Sequence, residues 1–404
     1  MSNPVPPPPA ADSADAVIRV AISDSFQDWM SRCGGALAVT TYQAGKVAML
    51  GWDDSRRQVT LLLRQFNKPL GLAVRGGAGG AIALATRHEV TFFADAPLLA
   101  HDYLENQPGR YDALYLPRAA YFTGDINVHD VAFGADASGD VPGAASVGAK
   151  PEGGRGVEAG LWVVNSRFSC LASLSRGYSF VPRWKPPFVS EIVPEDRCHL
   201  NGLAMVDGRP GYVTALGETD TAGGWRDNKA AGGVIVHVDS NEPALRGLSM
   251  PHSPRWYDGR LWVLNSGAGE LWVVDPKRGT HDVVCALPGY LRGLCFVGAT
   301  HAVVGLCQIR EKHIFGGLPV QQRHPKLLCG VAVIDLRTGK PAAMFEFTGG
   351  CQELYDVQFI PGVRRPTILN LEREATRQAF TAPDFSYWLR PSAEVPTPPG
   401  GREG

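Results

Sequence analysis

The sequence lacks long apolar runs and any marked imbalance of charge. No apolar run approaches the roughly 18 to 20 residues that a membrane-spanning helix needs. The formal net charge is -1, and basic residues cluster only in pairs such as Arg56-Arg57. A near-neutral chain produces no long-range field that would attract a polyanion. We therefore expect neither a membrane nor a nucleic acid as partner.

The short motifs of several common enzymes and of secreted proteins are also missing. No GxSxG elbow, P-loop, HExxH or helix-opening GxGxxG occurs. The eight cysteines form no CxxC pair and several, such as Cys295 and Cys307, lie in apolar runs typical of buried strands. There is no Asn-x-Ser/Thr triplet, and the N-terminus lacks a basic segment followed by an apolar one. These absences favour a cytoplasmic location.

Turn-forming residues are abundant, and one pattern recurs between them. The chain has 47 glycines and 31 prolines, which suits many tight turns and few long helices. A polar or glycine-bearing start followed by an apolar strand occurs six times, at residues 67–73, 127–132, 199–204, 251–256, 290–295 and 353–358. Starts on the order of 40 to 75 residues apart are typical of β-propeller blades with loop insertions.

The clearest single blade runs from Arg255 to Leu287. Asp258-Gly259 predicts a hairpin turn, and further strands follow near residues 261–264, 271–274 and 282–285. Residues 37–63 show the same pattern without its first strand, which residues 355–360 would supply. The sequence therefore predicts an all-β, six-bladed β-propeller closed by N- and C-terminal strands. An unplaced strand at residues 367–369 leaves seven blades open.

The composition divides the chain into three segments. Residues 1–20 are predicted to be a disordered Pro/Ala-rich tail, 21–375 a single propeller domain, and 376–404 a Pro/Gly-rich C-terminal tail. Within the domain, residues 22–32 predict a short capping helix with Ser23 or Asp24 as its N-cap.

Alignment of the six starts predicts a ring of side chains around the central axis. The aligned positions are Leu70, His129, Asn201, His252, Arg292 and Tyr355. Five polar groups in a ring that would otherwise be apolar indicate a ligand site. His129, His252, Arg292 and Tyr355 are the candidate catalytic residues, and His129, Asn201 and His252 are candidate ligands of a divalent metal ion. The alternative is a water-filled channel in which these groups bond to solvent.

Loops between the second and third strands would open on the same face. They carry the candidate substrate-binding residues Glu218, Asp220, Trp225, Arg226 and Arg310, together with Arg167 and Glu311. Carboxylates, guanidinium groups and an indole suit a small polar ligand, whereas a solvated surface loop is the alternative. The Pro-, aromatic- and basic-rich segment 178–188 could be a lid or a peptide-docking edge, or could pack over the barrel.

The chain resembles a bacterial protein family of unknown function. The resemblance rests on residues 199–229 (HLNGLAMVDGRPGYVTALGETDTAGGWRDNK), 250–275 (MPHSPRWYDGRLWVLNSGAGELWVVD), 290–298 (YLRGLCFVG) and 305–319 (GLCQIREKHIFGGLP), and extends from about Leu37 to Pro361. Members of that family are predicted propellers, some fused to helical repeats. The resemblance implies the fold and no particular reaction.

A more distant resemblance is to the gluconolactonase, senescence-marker and strictosidine synthase superfamily of six-bladed propellers. The segment Asn-Gly-Leu-Ala at Asn201 is similar to a metal-ligand strand of the lactonases, whose site combines a Glu, an Asn and an Asp around a divalent cation. His252 occupies the position of the Asp, and Glu353 is the only candidate for the Glu. The resemblance therefore implies a softer metal than the lactonases use, if a metal is bound.

These observations support two hypotheses. In the first, the protein is an enzyme that hydrolyses, or opens a lactone in, a small polar molecule or peptide. Arg292 would bind an anionic group, His129 or His252 would be the general base or a metal ligand, and Asn201 would orient the substrate. In the second, the same face, or the segment around Arg183-Trp184, binds a ligand or a protein partner without catalysis.

Overall fold

The computed structural model describes residues 17–76, 80–134, 160–309 and 316–390. Six antiparallel sheets follow one another along the chain, each with four consecutively paired strands. The inner strands of the six sheets contact one another in a closed cycle. The fold is therefore a six-bladed β-propeller, as the repeat predicted.

The blades are numbered here from the N-terminus, with each inner strand first. Blade 1 consists of Asp356–Pro361, Gly35–Thr41, Lys46–Asp53 and Gln58–Gln65; blade 2 of Leu72–Arg75, Ala81–Ala85, Glu89–Asp95 and Ala113–Phe122; blade 3 of Val128–Phe133, Leu161–Asn165, Cys170–Ser173 and Val181–Trp184. Blade 4 consists of Leu200–Val206, Arg209–Ala215, Gly233–His237 and Pro243–Leu248; blade 5 of Pro251–Tyr257, Arg260–Asn265, Glu270–Asp275 and Thr280–Ala286; blade 6 of Tyr290–Val297, His301–Cys307, Gly330–Asp335 and Lys340–Gly349.

Short helices occupy the connections between strands. Among the described residues, the α-helices are Asp24–Arg32, Pro97–Ala100, Pro319–Arg323 and Glu374–Gln378, and 3-10 turns span Gly224–Asn228, Ser266–Ala268 and Gly298–Thr300. No helix within the described ranges is long and apolar enough to cross a membrane. All eight cysteines are free thiols and seven are buried.

Both ends of the chain close blade 1, as predicted. Asp356–Pro361 pairs antiparallel with Gly35–Thr41, so the inner strand comes from the C-terminal part and the other three from the N-terminal part. The predicted helix is Asp24–Arg32, whose N-cap Ser23 accepts a hydrogen bond from the backbone N–H of Phe26. Phe26 then packs against Phe345 in the outer part of blade 6.

Further strands pair at the outer edges of blades and within the predicted tails. Arg19–Ile22 adds a fifth strand to blade 6. Pro366–Ile368 pairs in parallel with the outer strand of blade 2, which accounts for the strand that left seven blades open. Ala379–Ala382 and Phe385–Trp388 form a hairpin inside the expected C-terminal tail. Exposed outer strand edges accept such additions because their backbone groups are unpaired.

A buried ionic cluster joins all six inner strands. Arg255 of blade 5 forms a 2.8 Å ion pair with Asp130 of blade 3, and its Nη2 lies 3.8 Å from Asp356 of blade 1. Arg255 also donates to the carbonyl of Leu294 in blade 6. Asp130 accepts from the backbone N–H of Leu203 in blade 4, and Asp356 from that of Leu72 in blade 2. We call Asp130, Arg255 and Asp356 the axial ionic cluster.

Removing the cation of this cluster should destabilise the whole ring. Arg255→Met leaves two buried carboxyl groups without their shared guanidinium, so we expect the free energy of unfolding to fall by about 3 to 5 kcal/mol. Chemical denaturation measures this loss. Arg278→Met removes an exposed ion pair with Asp275 and should change stability by less than about 1 kcal/mol. Equal losses in the two variants would contradict the role of the cluster.

The cluster also predicts a pH dependence. Burial, opposed by Arg255 and reinforced by Asp130, raises the pKa of Asp356 from 3.8 to about 7. Between these values the folded protein holds a proton that the unfolded chain releases, so the contribution of Asp356 to stability falls as pH rises through this window. Asp356→Asn cannot ionise. Relative to this variant, the wild-type protein should lose stability between about pH 4 and pH 7, measured by urea unfolding at several pH values; a gain over that range would contradict the assignment.

Candidate functional site

A cavity of about 420 Å³ opens on the axis where the inner strands begin. It lies one step along the strands from the axial ionic cluster, since His129 precedes Asp130 and Tyr355 precedes Asp356. Its lining includes six of the residues that the sequence singled out as catalytic or substrate-binding: His129, Trp225, Arg226, His252, Arg292 and Tyr355. Arg167 and Glu353 line it as well.

A repeated backbone conformation shapes the cavity wall. Lys68, Asn127, His199 and Met250 each lie two residues before an aligned ring position, and each has a positive φ between 46° and 53°. This left-handed conformation is uncommon for residues other than glycine. All four line the cavity, so the same local turn in blades 2 to 5 presents a side chain to the site. Backbone strain of this kind often accompanies functional sites.

Arg292 lines the cavity between Tyr355 and His129. Its guanidinium lies over the ring of Tyr355, 4.2 Å from the ring centroid, and Nη2 is 2.8 Å from Nε2 of His129. The Nε atom is buried and has no hydrogen-bond acceptor among the described residues. The Tyr355 hydroxyl is buried without a described partner too. The cavity thus contains two adjacent groups that lack a described acceptor, and Glu353 lies in the same lining.

The two ring histidines are held neutral. Burial, and next the charge of Arg292, hold the pKa of both His129 and His252 well below the ordinary value of 6.5. Nδ1 of His252 is 2.9 Å from the Met250 carbonyl, which only accepts, so Nδ1 carries the proton. Nε2 of His129 faces an arginine, which only donates, so that nitrogen is the acceptor. The only lone pair on the His129 ring therefore accepts from Arg292, so His129 is less suited to act as the predicted general base.

A third imidazole, that of His199, lines the cavity but is not among the predicted site residues. Its Nδ1 lies 2.9 Å from both carboxylate oxygens of Asp196, and its ring centroid lies 5.2 Å from that of His129. Trp225 also donates from its indole nitrogen to Asp196, at 3.1 Å. His199 stands at the head of the HLNGLA segment, but alignment of the strand starts favoured Asn201 instead.

The expectation that Asn201 faces the axis is not met. Its side chain is 2% exposed and does not line the cavity. Its amide donates to the Pro251 carbonyl and accepts from the Thr214 hydroxyl, so it joins blade 4 to blade 5. A Cβ on neighbouring Gly202 would come within 2.3 Å of Cδ of Pro254, so glycine permits the close approach of these two strands. The segment that resembles the lactonase strand serves blade packing here.

Other candidates from the loops lie away from the cavity. Glu218 is paired with Arg246, with oxygen–nitrogen distances of 2.6 and 3.0 Å. Asp220 accepts from the backbone of Ser190 and from Arg197. Both carboxylates therefore bond to neighbouring arginines or to the backbone, and neither lines the cavity. Arg310 and Glu311 lie outside the described residues.

The segment 178–188 was a candidate lid or docking edge. Val181–Trp184 is instead the outer strand of blade 3, and Trp184 is 2% exposed. The Trp184 indole donates to Asn241 of the next blade. Trp184 therefore packs between blades 3 and 4, which agrees with the alternative that this segment packs over the barrel.

The contacts of the three predicted metal ligands bear on the kind of ligand that the cavity would bind. Across the described ranges, no three His, Cys, Asp or Glu side chains are grouped closely enough to form a metal centre. Of the three predicted ligands, Asn201 is turned away and the acceptor nitrogen of His129 is bonded to Arg292. A fixed guanidinium beside the imidazoles repels a cation and attracts an anion. The donor set therefore favours an anionic ligand.

Comparison with known proteins places the chain in a family. The sequence profile of the domain of unknown function DUF4915 matches residues 24–369, which contain all six blades and every residue of the cavity lining. The chain belongs to this family. This agrees with the resemblance found in the sequence to propellers of unknown function. Among curated proteins, none matches the chain.

Solved structures similar to this DUF4915 domain are distant. A chain of a nidogen/laminin complex is 11% identical with a TM-score of 0.45, and a protein of unknown function from Bacteroides caccae is 8% identical with a TM-score of 0.44. Each match covers 81% of this chain and 99% of the other. The dihydro-heme d1 dehydrogenase NirN, in complex with DHE, is 16% identical with a TM-score of 0.34, covering 75% of this chain and 61% of the other. These similarities are too weak to inform function.

The neutral state of the ring histidines can be measured directly. We expect His129 and His252 to remain uncharged at about pH 6, because burial and Arg292 disfavour their protonated forms. Nitrogen-15 NMR of histidine-labelled protein reports each protonation state and tautomer. In Arg292→Met both pKa values should rise. Charged imidazoles at these two positions at neutral pH would contradict the described electrostatics.

Proposed function

We propose that the axial cavity binds a small anionic molecule and that Arg292 binds its anionic group. The observation that carries this proposal is the Nε of Arg292, which is buried and has no hydrogen-bond acceptor among the described residues, next to the Tyr355 hydroxyl, which also lacks a described partner. A buried donor without an acceptor costs free energy. A carboxylate or phosphate would supply acceptors to both groups, and it matches the planar fork of arginine.

The surroundings of Arg292 support this choice of ligand. The Tyr355 hydroxyl offers a second buried donor beside the guanidinium. Lys68 lies in the wall of the same cavity and adds a further positive charge, while Arg167 in the same wall lies 3.8 Å from the Asp125 carboxylate. A volume of about 420 Å³ is within the range of roughly 300 to 1,000 Å³ that is typical of small-molecule sites. A small polar metabolite or the end of a peptide would fit this description.

Hydrolysis and non-catalytic recognition are both compatible with an anion site. We favour hydrolysis or lactone opening, because neutral imidazoles and a carboxylate-bound histidine line the same cavity as Arg292. Water supplies the nucleophile for such a reaction, and no metal ion forms part of the proposal. In recognition without catalysis, Arg292 and Tyr355 would bind the ligand, and the histidines would only form hydrogen bonds in the cavity wall.

Replacing Arg292 by methionine tests the anion site. We expect succinate and inorganic phosphate to raise the melting temperature of the wild-type protein and to bind measurably by calorimetry. Arg292→Met should weaken this binding at least about tenfold, because a charge-assisted bidentate contact contributes roughly 1.5 to 3 kcal/mol. Without anion, the free energy of unfolding of the variant should stay close to that of the wild type, since the side chain that it loses has an Nε without an acceptor among the described residues.

Arg337→Met is the matched control, because Arg337 forms an exposed ion pair with Asp335 on blade 6. It should leave anion binding unchanged. If neither probe bound the wild-type protein, or if both variants bound them equally well, Arg292 would not be an anion-binding residue.

A further inference from the structure

The Asp196–His199 pair gives the cavity a candidate base that differs from the two ring histidines. Building on the proposed anion site, we propose that His199 is the general base of a hydrolase whose substrate is an ester or lactone that carries an anionic group. The observation behind this is the contact of one imidazole nitrogen with a carboxylate while the same side chain lines the cavity.

The geometry of His199 sets its tautomer. A carboxylate accepts hydrogen bonds, so the Nδ1 that faces both oxygens of Asp196 carries a proton. In the neutral imidazole Nε2 then holds the lone pair. No described residue forms a hydrogen bond with Nε2 of His199. A carboxylate–imidazole pair with a free Nε2 is the arrangement in which histidine removes a proton from a nucleophile.

Asp196 is the positioning residue for His199. The indole of Trp225 donates to one of its oxygens at 3.1 Å, and Nη2 of Arg226 is 3.9 Å from the same oxygen. The ring of Trp225 packs on that of His199, with centroids 4.7 Å apart. Contacts on several sides fix the carboxylate and the imidazole in one orientation. The left-handed backbone at His199, with φ 50°, further determines where its side chain points.

The other imidazoles are less suited to this role. The acceptor nitrogen of His129 is already bonded to Arg292. His252 is oriented by a neutral carbonyl, that of Met250, rather than by a carboxylate. A carboxylate stabilises the imidazolium that forms when a histidine takes a proton, and a neutral carbonyl does so less. Of the three histidines at the site, His199 therefore has the best support for general-base catalysis.

A donor for the carbonyl oxygen is present in the same cavity. The Tyr355 hydroxyl is buried and has no partner among the described residues, and burial raises the pKa of this phenol, so it remains a donor at neutral pH. The ring of His129 contacts both His199 and Tyr355, at centroid distances of 5.2 and 4.8 Å. Substrate bound to Arg292 would thus lie among a base, a donor and a cation.

The chemical step needs only water as a co-reactant. Nε2 of His199 takes a proton from a water molecule while the water oxygen forms a bond to the carbonyl carbon. The bond between that carbon and the alcohol oxygen then breaks, and the imidazolium returns its proton to the leaving oxygen. The products are an acid and an alcohol, and in a lactone both remain in one molecule.

The test uses para-nitrophenyl hemisuccinate, an anionic ester, and para-nitrophenyl butyrate, a neutral one. We expect the full-length protein to hydrolyse the anionic ester preferentially. His199→Gln should lower kcat/KM by about 100-fold to 10,000-fold without weakening succinate binding. Asp196→Asn should lower kcat while KM stays within about threefold, because positioning acts on the chemical step.

His101→Gln is the matched control, since His101 forms a similar 2.6 Å contact with Asp102 on the exposed surface. It should retain full activity. Succinate binding without hydrolysis of the hemisuccinate, or undiminished hydrolysis in His199→Gln, would overturn the assignment of His199 while the anion site stood. If the proposed anion site itself were wrong, the wild-type protein would not bind succinate.

Discussion

At the centre of the molecule, one guanidinium and two carboxyl groups connect the inner strands of six separate sheets. Arg255 bonds to Asp130 and to the Leu294 carbonyl, and lies 3.8 Å from Asp356, while the two carboxyl groups accept hydrogen bonds from the backbone N–H groups of Leu203 and Leu72. Apolar side chains fill the space between blades, and these hydrogen bonds add directional contacts between the inner strands. The cluster therefore lies on the same axis as the cavity, one residue along the strands.

The same arrangement distinguishes the two arginines on the axis. Both carboxyl groups of the cluster face Arg255, one residue deeper than the cavity. Arg292, at the level of His129 and Tyr355, keeps an Nε that has no acceptor among the described residues. Arg255 is therefore structural, whereas Arg292 keeps a donor for the proposed ligand. This difference underlies both the anion site and the hydrolase proposed for it.

Much of the fold could be predicted because its signals are local. Asp258-Gly259 marks a hairpin, and the recurrence of similar starts identified the inner strands and the closing strand at Asp356–Pro361. The same alignment found His129 and His252 for the cavity. It failed at Asn201, whose amide bonds to the Pro251 carbonyl and the Thr214 hydroxyl, while His199 lines the cavity. A left-handed backbone at a histidine leaves no mark in the sequence.

Long-range ion pairs were also beyond sequence reasoning. Glu218 was predicted to bind substrate, and no feature of the neighbouring sequence indicates that its carboxylate forms an ion pair with Arg246. Asp130 and Arg255 pair across the axis from blades 3 and 5, and neither stood out. Such pairs can be identified only once distant strands are placed side by side. The pairing of His199 with Asp196, the axial ionic cluster and the contacts of Arg292 therefore required the structure.

The most direct measurement is a crystal structure of the protein grown in sodium bromide, with data that record the anomalous signal of bromine. The account predicts an anomalous peak in the axial cavity within about 3.5 Å of Arg292 Nε and close to the Tyr355 hydroxyl. A cavity without such a peak, in crystals that show bromide elsewhere, would contradict it, as would a metal ion bound by His129 and His252.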